Sequence, residues 1–200
     1  MKRADKRALL LKAARDCFAR YGYDKTTLED IGKSLGLNKA SLYYYFKNKD
    51  EIFVQVVLEE AELFIQSLQK EVAGIDELEQ KLISYLVGRL LYYHQVLNLH
   101  QLTVDQLQAV QPRWQEVYEI VLRREEDFVQ SLLEDADDAG LIDTRESLRD
   151  VATSLLAVSI ALKHNAVKEH QQHMAGDFDY SEAEHKISTL VRLVCKGLRP

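Results

Sequence analysis

Between residues 26 and 49 the chain gathers Thr26, Thr27, Lys39, Ala40, Ser41, Tyr43, Tyr44, Tyr45 and Lys49, side chains suited to non-covalent recognition. A lysine can donate to the O6 and N7 edge of guanine. Small residues such as Ala40 and Ser41 let a backbone approach closely, and their methyl or hydroxyl groups reach thymine or phosphate. Thr26 or Thr27, at a helix start, offers a hydroxyl and exposed N–H groups to a phosphate, and Lys49 adds a charge. That chemistry works only if a rigid element aims it.

The local pattern supplies one. Thr26 followed by Glu29 reads as a capping box, Leu28, Ile31 and Leu35 recur at helical spacing, Gly36 can close the helix, and Asn38 can cap the next. A second helix from about Asn38 to Phe46 would be anchored by Leu42 and Phe46 at i and i+4, leaving Lys39, Ser41, Tyr43 and Tyr45 on other faces. Two short helices at a glycine turn are a helix-turn-helix signature, whose second helix enters the major groove with its N-terminal residues, here Lys39, against base edges. Lys33 and Lys47 are either solvated charges or loose phosphate contacts.

The run Leu42-Tyr43-Tyr44-Tyr45-Phe46-Lys47-Asn48-Lys49 resembles the end of the recognition helix in the TetR family of transcriptional regulators. Upstream, Leu10, Ala14, Cys17, Phe18 and Tyr21 form one stripe of a first helix, and Tyr21-Gly22-Tyr23 matches the turn before the Thr pair. The resemblance covers about the first quarter of the chain. It implies a DNA-binding domain over 1–48, with Tyr43 and Tyr45 giving hydroxyl contacts to phosphates and Tyr44 packed at least partly inward. Position 45 is often His in the family, so Tyr45 can alter which phosphate is reached. Over 49–200 it implies a helical effector-binding and dimerisation domain.

Charge distribution agrees with a basic head. The net charge is −6, yet residues 1–50 hold 12 Lys/Arg against 6 Asp/Glu while residues 51–200 hold 14 against 26. A domain that meets phosphates needs local positive charge, and an acidic remainder orients the encounter. Eight Gly, two Pro and long Leu/Glu/Gln/Lys-rich stretches indicate an all-α fold. The longest weakly polar run, Val151 to Leu162, is too short to span a bilayer, so a cytoplasmic location with no membrane contact is expected. Cys17 and Cys195 each fall on an apolar stripe and read as buried thiols rather than a disulfide. No GxGxxG, P-loop, GxSxG, CxxC pair or HExxH occurs, and no enzyme activity, cofactor or metal is expected.

The body reads as successive helices. One runs from Asn48, with Glu51 as its partner in the cap, to about Val72. Others cover about Asp76 to Asn98, a short piece Thr103 to Ala109, and a stretch after Pro112 that ends at Asp137-Asp138-Ala139-Gly140. Two more cover residues 145–168 and 181–197, both broadly apolar. By resemblance these last two pair with their copies in a homodimer, and the body holds a small, largely apolar effector whose binding weakens the hold on a double-stranded DNA operator. Repression is expected over activation. Candidate lining residues are Phe64 on one helix, Tyr85, Tyr92, Tyr93, His94 and Leu97 on the next, His100 beyond it, and Trp114, Tyr118 and Phe128 further on; each can equally be core. His164, His170 and His173 with Asp177 and Asp179 invite a metal, but 170–176 reads as a loop without converging ligands.

Overall fold

The computed structural model describes the backbone of residues 3–99, 115–173 and 179–199, with side chains other than those of 3–4, 39, 93–99, 115–118, 120 and 167–173. Among the described residues every regular element is helical: α1 (Arg3–Tyr21), α2 (Leu28–Ser34), α3 (Lys39–Tyr43), α4 (Lys49–Ala73), α5 (Leu78–Leu99), α6 (Gln115–Asp138), α7 (Leu148–His173) and α8 (Ser181–Gly197). The fold is all-α, as composition and periodicity predict. None of these helices is long and apolar enough to cross a membrane. The expected short helix at Thr103–Ala109 lies outside the described residues.

Compactness divides the chain into residues 1–63 with 95–118, and residues 64–94 with 119–200. The division passes through α4 between Leu63 and Phe64, so this helix belongs to both units. In the first unit Leu10, Leu11, Ala14, Phe18, Ile31, Leu42, Phe46, Ile52, Phe53 and Val56 are buried. Phe53 meets Phe18 edge-on at 5.4 Å and Tyr23 at 4.7 Å between ring centres, tying the start of α4 to the end of α1. Tyr21 departs from its expected place on the buried stripe: it is 47% exposed, with the Arg20 guanidinium 5.6 Å from its ring centre. Tyr21 is the last residue of α1, and Gly22 immediately after it, at φ 80, takes the chain out of the helix.

In the second unit α5, α6, α7 and α8 contribute Leu82, Tyr85, Leu86, Val129, Leu133, Ala152, Leu155, Leu156, Ile187 and Val191 to one core, joined by Leu68 and Val72 of α4. A side chain at Gly88 would meet the Leu68 methyls at 2.6 and 2.9 Å, so α4 and α5 approach closely there. Gly140, at φ 67, follows α6 where the Asp137–Gly140 stop is expected. The α7 helix runs on to His173, past the expected end at 168, so His170 and His173 belong to its last turns rather than to a loop. Their side chains, and all of Asp177, lie outside the described residues. Cys17 and Cys195 are free and buried, and burial pushes both thiols up, Cys195 to about 11.

Candidate functional site

The head is organised by its caps. Thr27, not Thr26, is the N-cap of α2: its hydroxyl accepts from the Asp30 N–H at 3.2 Å, and the Asp30 carboxylate accepts from the Thr27 N–H at 2.9 Å. The expected Thr26–Glu29 box is therefore displaced by one residue. Thr26 is 1% exposed, and its hydroxyl donates back to the carbonyl of Gly22 at 2.8 Å, with the Cys17 carbonyl at 3.2 Å. A hydroxyl turned toward the end of α1 is lost to any phosphate, and the exposed Thr27 takes the position assigned to either threonine. Hydrogen bonds from Thr27 hold the Asp30 carboxyl below its usual range.

The turn is shaped by two glycines. Gly36 sits at φ 66, the left-handed region that a glycine enters without a Cβ penalty. Gly32 is required for a different reason: a Cβ there would lie 2.8 Å from the Leu37 carbonyl oxygen and 3.1 Å from a Leu42 methyl. The Leu37 N–H in turn donates to the Gly32 carbonyl at 2.8 Å, so the turn folds directly onto α2. Asn38 caps α3 by accepting from the Ser41 N–H at 2.9 Å. Regular α-helix ends at Tyr43, but Phe46 N–H still donates to the Leu42 carbonyl at 2.9 Å, which keeps Leu42 and Phe46 together on the buried side.

That anchoring sets what α3 presents. Leu42 is fully buried and Phe46 is 2% exposed, while Tyr43 and Tyr44 are 51% and 65% exposed and Ala40 is exposed beside a half-buried Ser41. Tyr44 thus corrects the expectation that it packs inward. It projects from the turn after α3 and meets Tyr45 edge-on at 5.0 Å. Lys39 opens α3, and its side chain lies outside the described residues. The guanidinium of Arg7 lies 5.1 Å from the Phe46 ring centre and donates to Gln55 at 3.0 Å, which braces the back of α3 against α1 and α4.

Lys49 has a structural engagement that spacing alone does not reveal. Its ammonium donates to the Tyr23 carbonyl at 2.8 Å, has the Asp24 carbonyl at 3.4 Å, and lies 4.2 Å from the Tyr23 ring centre. Burial draws its pKa down from the ordinary lysine value. Tyr23 donates its hydroxyl to Asp50, so the first turn of α4 and the turn after α1 clasp each other. Asn48 caps α4 through the Glu51 N–H at 2.8 Å, and Glu51 reaches back to the Lys47 N–H at 2.6 Å rather than to Asn48 itself. Exposed Lys12, Arg20, Lys25 and Lys33 rim a groove between α1 and α2, and of these Lys33 pairs with Glu29 at 3.2 Å.

The expected effector residues fall into two groups. Tyr85 is fully buried, with its ring 4.8 Å from that of Phe128 and its hydroxyl 3.3 Å from Glu125, so it fills the core of the second unit. Half-buried Phe64 stacks on Tyr92 at 4.7 Å. The side chains of Tyr93, His94, Leu97 and Tyr118, and all of His100 and Trp114, lie outside the described residues. Sequence spacing missed the polar group beside Tyr85: Arg89 donates through two nitrogens to the buried Glu125, Nη2 at 2.8 Å, and through Nη1 to Ser159 at 3.1 Å. The available signal was a charged residue one turn from Tyr85 on an otherwise apolar stripe. His164 is exposed, and Asp179 accepts from the Ser181 N–H at 2.9 Å at the start of α8. Among the described residues no three His, Cys, Asp or Glu side chains converge as metal ligands.

A short helix held from behind by buried side chains, preceded by a glycine turn and a capped helix, defines a helix-turn-helix module of the DNA-reading class. The family profile described as bacterial regulatory proteins, tetR family, matches residues 10–56. Over residues 10–56 the chain is thus similar to the DNA-binding domain of the tetR family of bacterial regulatory proteins. It is 36% identical over 59 residues to a transcriptional repressor, Rv1474c, of Mycobacterium tuberculosis, covering 30% of this chain and 32% of that one. To IcaR of Staphylococcus epidermidis, a negative regulator of the biofilm operon icaADBC, it is 42% identical over 72 residues, 34% and 39% of the two chains. The match thus spans about a third of the length of these curated relatives. A crystal structure of a transcriptional regulator from Cytophaga hutchinsonii shares the fold over 98% of this chain and 99% of that one, with a TM-score of 0.78 and 24% identity.

Proposed function

We propose that the protein is a dimeric, operator-binding repressor that releases DNA when a small, largely apolar molecule occupies its helical body. The observation that carries the DNA-reading part is the two-sidedness of α3: Leu42 and Phe46 buried, Tyr43 and Tyr44 exposed, on a head with a two-to-one excess of basic over acidic residues. Residues 1–48 read DNA and 49–200 serve the effector and the dimer. Lys39 reads a base edge, Ala40 and Ser41 allow close approach, and Thr27, Tyr43, Tyr44 and Tyr45 contact the backbone. Lys49 acts mainly by locking the turn that positions Thr27, through its bonds to Tyr23 and Asp24.

Dimerisation through α7 and α8 is supported by apolar side chains that the second unit leaves in solvent: Val158 at 40% and Leu193 at 64% exposure, beside half-buried Leu190 and Val194. Two heads so carried would meet successive major grooves, roughly 34–36 Å apart on one face of the duplex. An effector that favours a different spacing weakens operator binding by its preference for that state. The negative regulators among the relatives favour repression, and a cytoplasmic location follows from a DNA partner. Selection of duplexes from a random pool by the purified protein, followed by footprinting, tests this: a short two-fold-symmetric site supports it, and protection without sequence preference would sink it.

A further inference from the structure

Arg7 closes a basic N-terminal stretch with Lys2, Arg3 and Lys6, where a phosphate contact is the ordinary expectation for a DNA-reading head. Its side chain is turned to protein instead. The guanidinium lies 5.1 Å from the centre of the Phe46 ring, and Nη2 donates to the Gln55 side-chain oxygen at 3.0 Å. Three elements of the head meet at this one group: α1 carries Arg7, the turn after α3 carries Phe46, and α4 carries Gln55. Further along α1, Arg15 pairs with Glu59 and Glu60 of α4, each at 3.1 Å. The frame on which Arg7 leans is thus itself tied down.

A helix of five residues, as α3 is, has too few turns to hold its own direction, so packing at its two ends must supply it. The front end is fixed by the turn that bonds Leu37 to Gly32, with Leu42 fully buried behind it. The rear end is fixed through Phe46, 2% exposed, whose N–H is bonded to the Leu42 carbonyl. When the guanidinium on the Phe46 ring is removed the rear end loses a restraint, and a shift there about Leu42 swings Lys39, Ala40 and Ser41 at the other end. A planar guanidinium stacks on a ring and donates in its own plane at once, which a lysine ammonium cannot do. We propose that Arg7 is a positioning residue for DNA reading: it sets the direction of α3 through Phe46 and Gln55, and thereby the preference for operator over random DNA, without touching a phosphate. This rests on the DNA-reading function above and adds to it a residue that makes no contact with DNA.

Gln55→Ala removes the partner in α4 and leaves the charge of the head unchanged, while Arg7→Lys keeps the charge and removes the planar fork. In the full-length protein, below the melting transition of each variant, both should lower the ratio of operator to random-duplex affinity at least about threefold, the effect of one lost hydrogen bond. Arg7→Met should lower the same ratio and leave the slope of log affinity against log salt unchanged. A phosphate contact would behave in the opposite way: Arg7→Lys would keep both affinities, and Arg7→Met would weaken both duplexes alike and reduce the slope by about 1. Hydrogen exchange without DNA adds a second readout. The amides of Tyr45 and Phe46, which donate to the Leu42 carbonyl, should exchange faster in Gln55→Ala and Arg7→Lys, and the Leu37 amide, bonded to Gly32, should not. An undiminished ratio in Gln55→Ala, a salt slope that falls in Arg7→Met, unchanged exchange at Tyr45 and Phe46, or exchange that rises equally at Leu37 overturns the proposal. A wild type with no preference for the selected duplex overturns the regulator reading instead, with the exchange measurement still scoring the brace.

Discussion

Individual side chains at the head separate into those that hold α3 and those that it leaves exposed, to which the proposed reading of DNA falls. Lys39 opens the helix, whereas Tyr43 projects from its exposed face a turn later. A base-reading donor and a phosphate-reading donor fail differently when removed. Lys39→Ala should relax preference at one base pair of the selected operator, at about 1–3 kcal/mol of discrimination. Tyr43→Phe should weaken specific and random duplexes alike. Binding assays on the operator, a single-substituted operator and random DNA distinguish the two, and a uniform loss in Lys39→Ala would remove it from the base edge.

The cap of α2 belongs to the same scale and responds to pH. Thr27 lowers the Asp30 pKa in the folded chain. A carboxyl whose folded pKa lies below its unfolded value of about 3.9 adds stability that is fully present above that value and disappears as pH falls through the folded one. Asp30→Asn should therefore flatten the acid limb of the stability curve below about pH 4 and change its slope little at neutral pH. Thr27→Ala removes both the acceptor for the Asp30 N–H and the hydroxyl that donates to the Asp30 carboxylate, so it should cost about 1 kcal/mol near neutral pH and less as Asp30 is protonated. Urea melts from pH 3 to 7 measure both, and an unchanged acid limb in Asp30→Asn would show that the carboxylate bond carries no linkage.

At the scale of elements, the two glycines of the turn call for different outcomes. Alanine at Gly36 forces a Cβ into the left-handed region, at about 1–2 kcal/mol, with open space around it. Alanine at Gly32 instead strikes the Leu37 backbone at 2.8 Å, and an overpacked contact of that kind costs about 1–3 kcal/mol and displaces its neighbour. Both variants should melt earlier, but Gly32→Ala should lose more operator affinity per unit of lost stability, because what it displaces is the turn that aims α3. Equal ratios for the two would place the turn outside the aiming mechanism.

This is also the scale at which the sequence is most and least legible. Leu42 and Phe46, four residues apart, foretell the buried side of α3, and Asn38, Gly36 and Asn48 foretell caps and a stop, because these are local bonds of fixed reach. The capping box slips by one residue because Thr26 and Thr27 are alike in local spacing. What separates them is that the Thr26 hydroxyl turns back to the Gly22 and Cys17 carbonyls at the end of α1, which leaves Thr27 to pair with Asp30. Lys49 is hidden for the same reason, since its partners Tyr23 and Asp24 are distant in sequence and are carbonyls that every residue possesses. Tyr44 keeps helical backbone angles and is exposed because Leu42 and Phe46 occupy the buried side of this turn; its inward placement is implied by the resemblance and not by helical spacing. The end of α7 carries no glycine or proline before Gly176, and a pattern without a stop signal gives no reason to end the helix at 168 rather than His173.

For the molecule as a whole, the decisive property is whether two heads act together. A head alone makes few base contacts, and a partner fixed at the right spacing turns the second contact into an intramolecular step with an effective concentration near the millimolar range. The apolar face of α7 and α8, with Leu193 and Val158 in solvent, is where such a partner would pack. Leu193→Glu removes little from the protomer's own core, since that side chain is 64% exposed, but it places a charge on the proposed pairing face. The variant should keep its helical signal and its melting behaviour at low protein concentration, sediment as a monomer, and bind the two-fold operator on the order of 10²-fold more weakly while retaining its affinity for an isolated half-site. A variant that still sediments as a dimer with full operator affinity would move the pairing surface elsewhere, and one that is monomeric yet binds undiminished would show that each head reads DNA on its own.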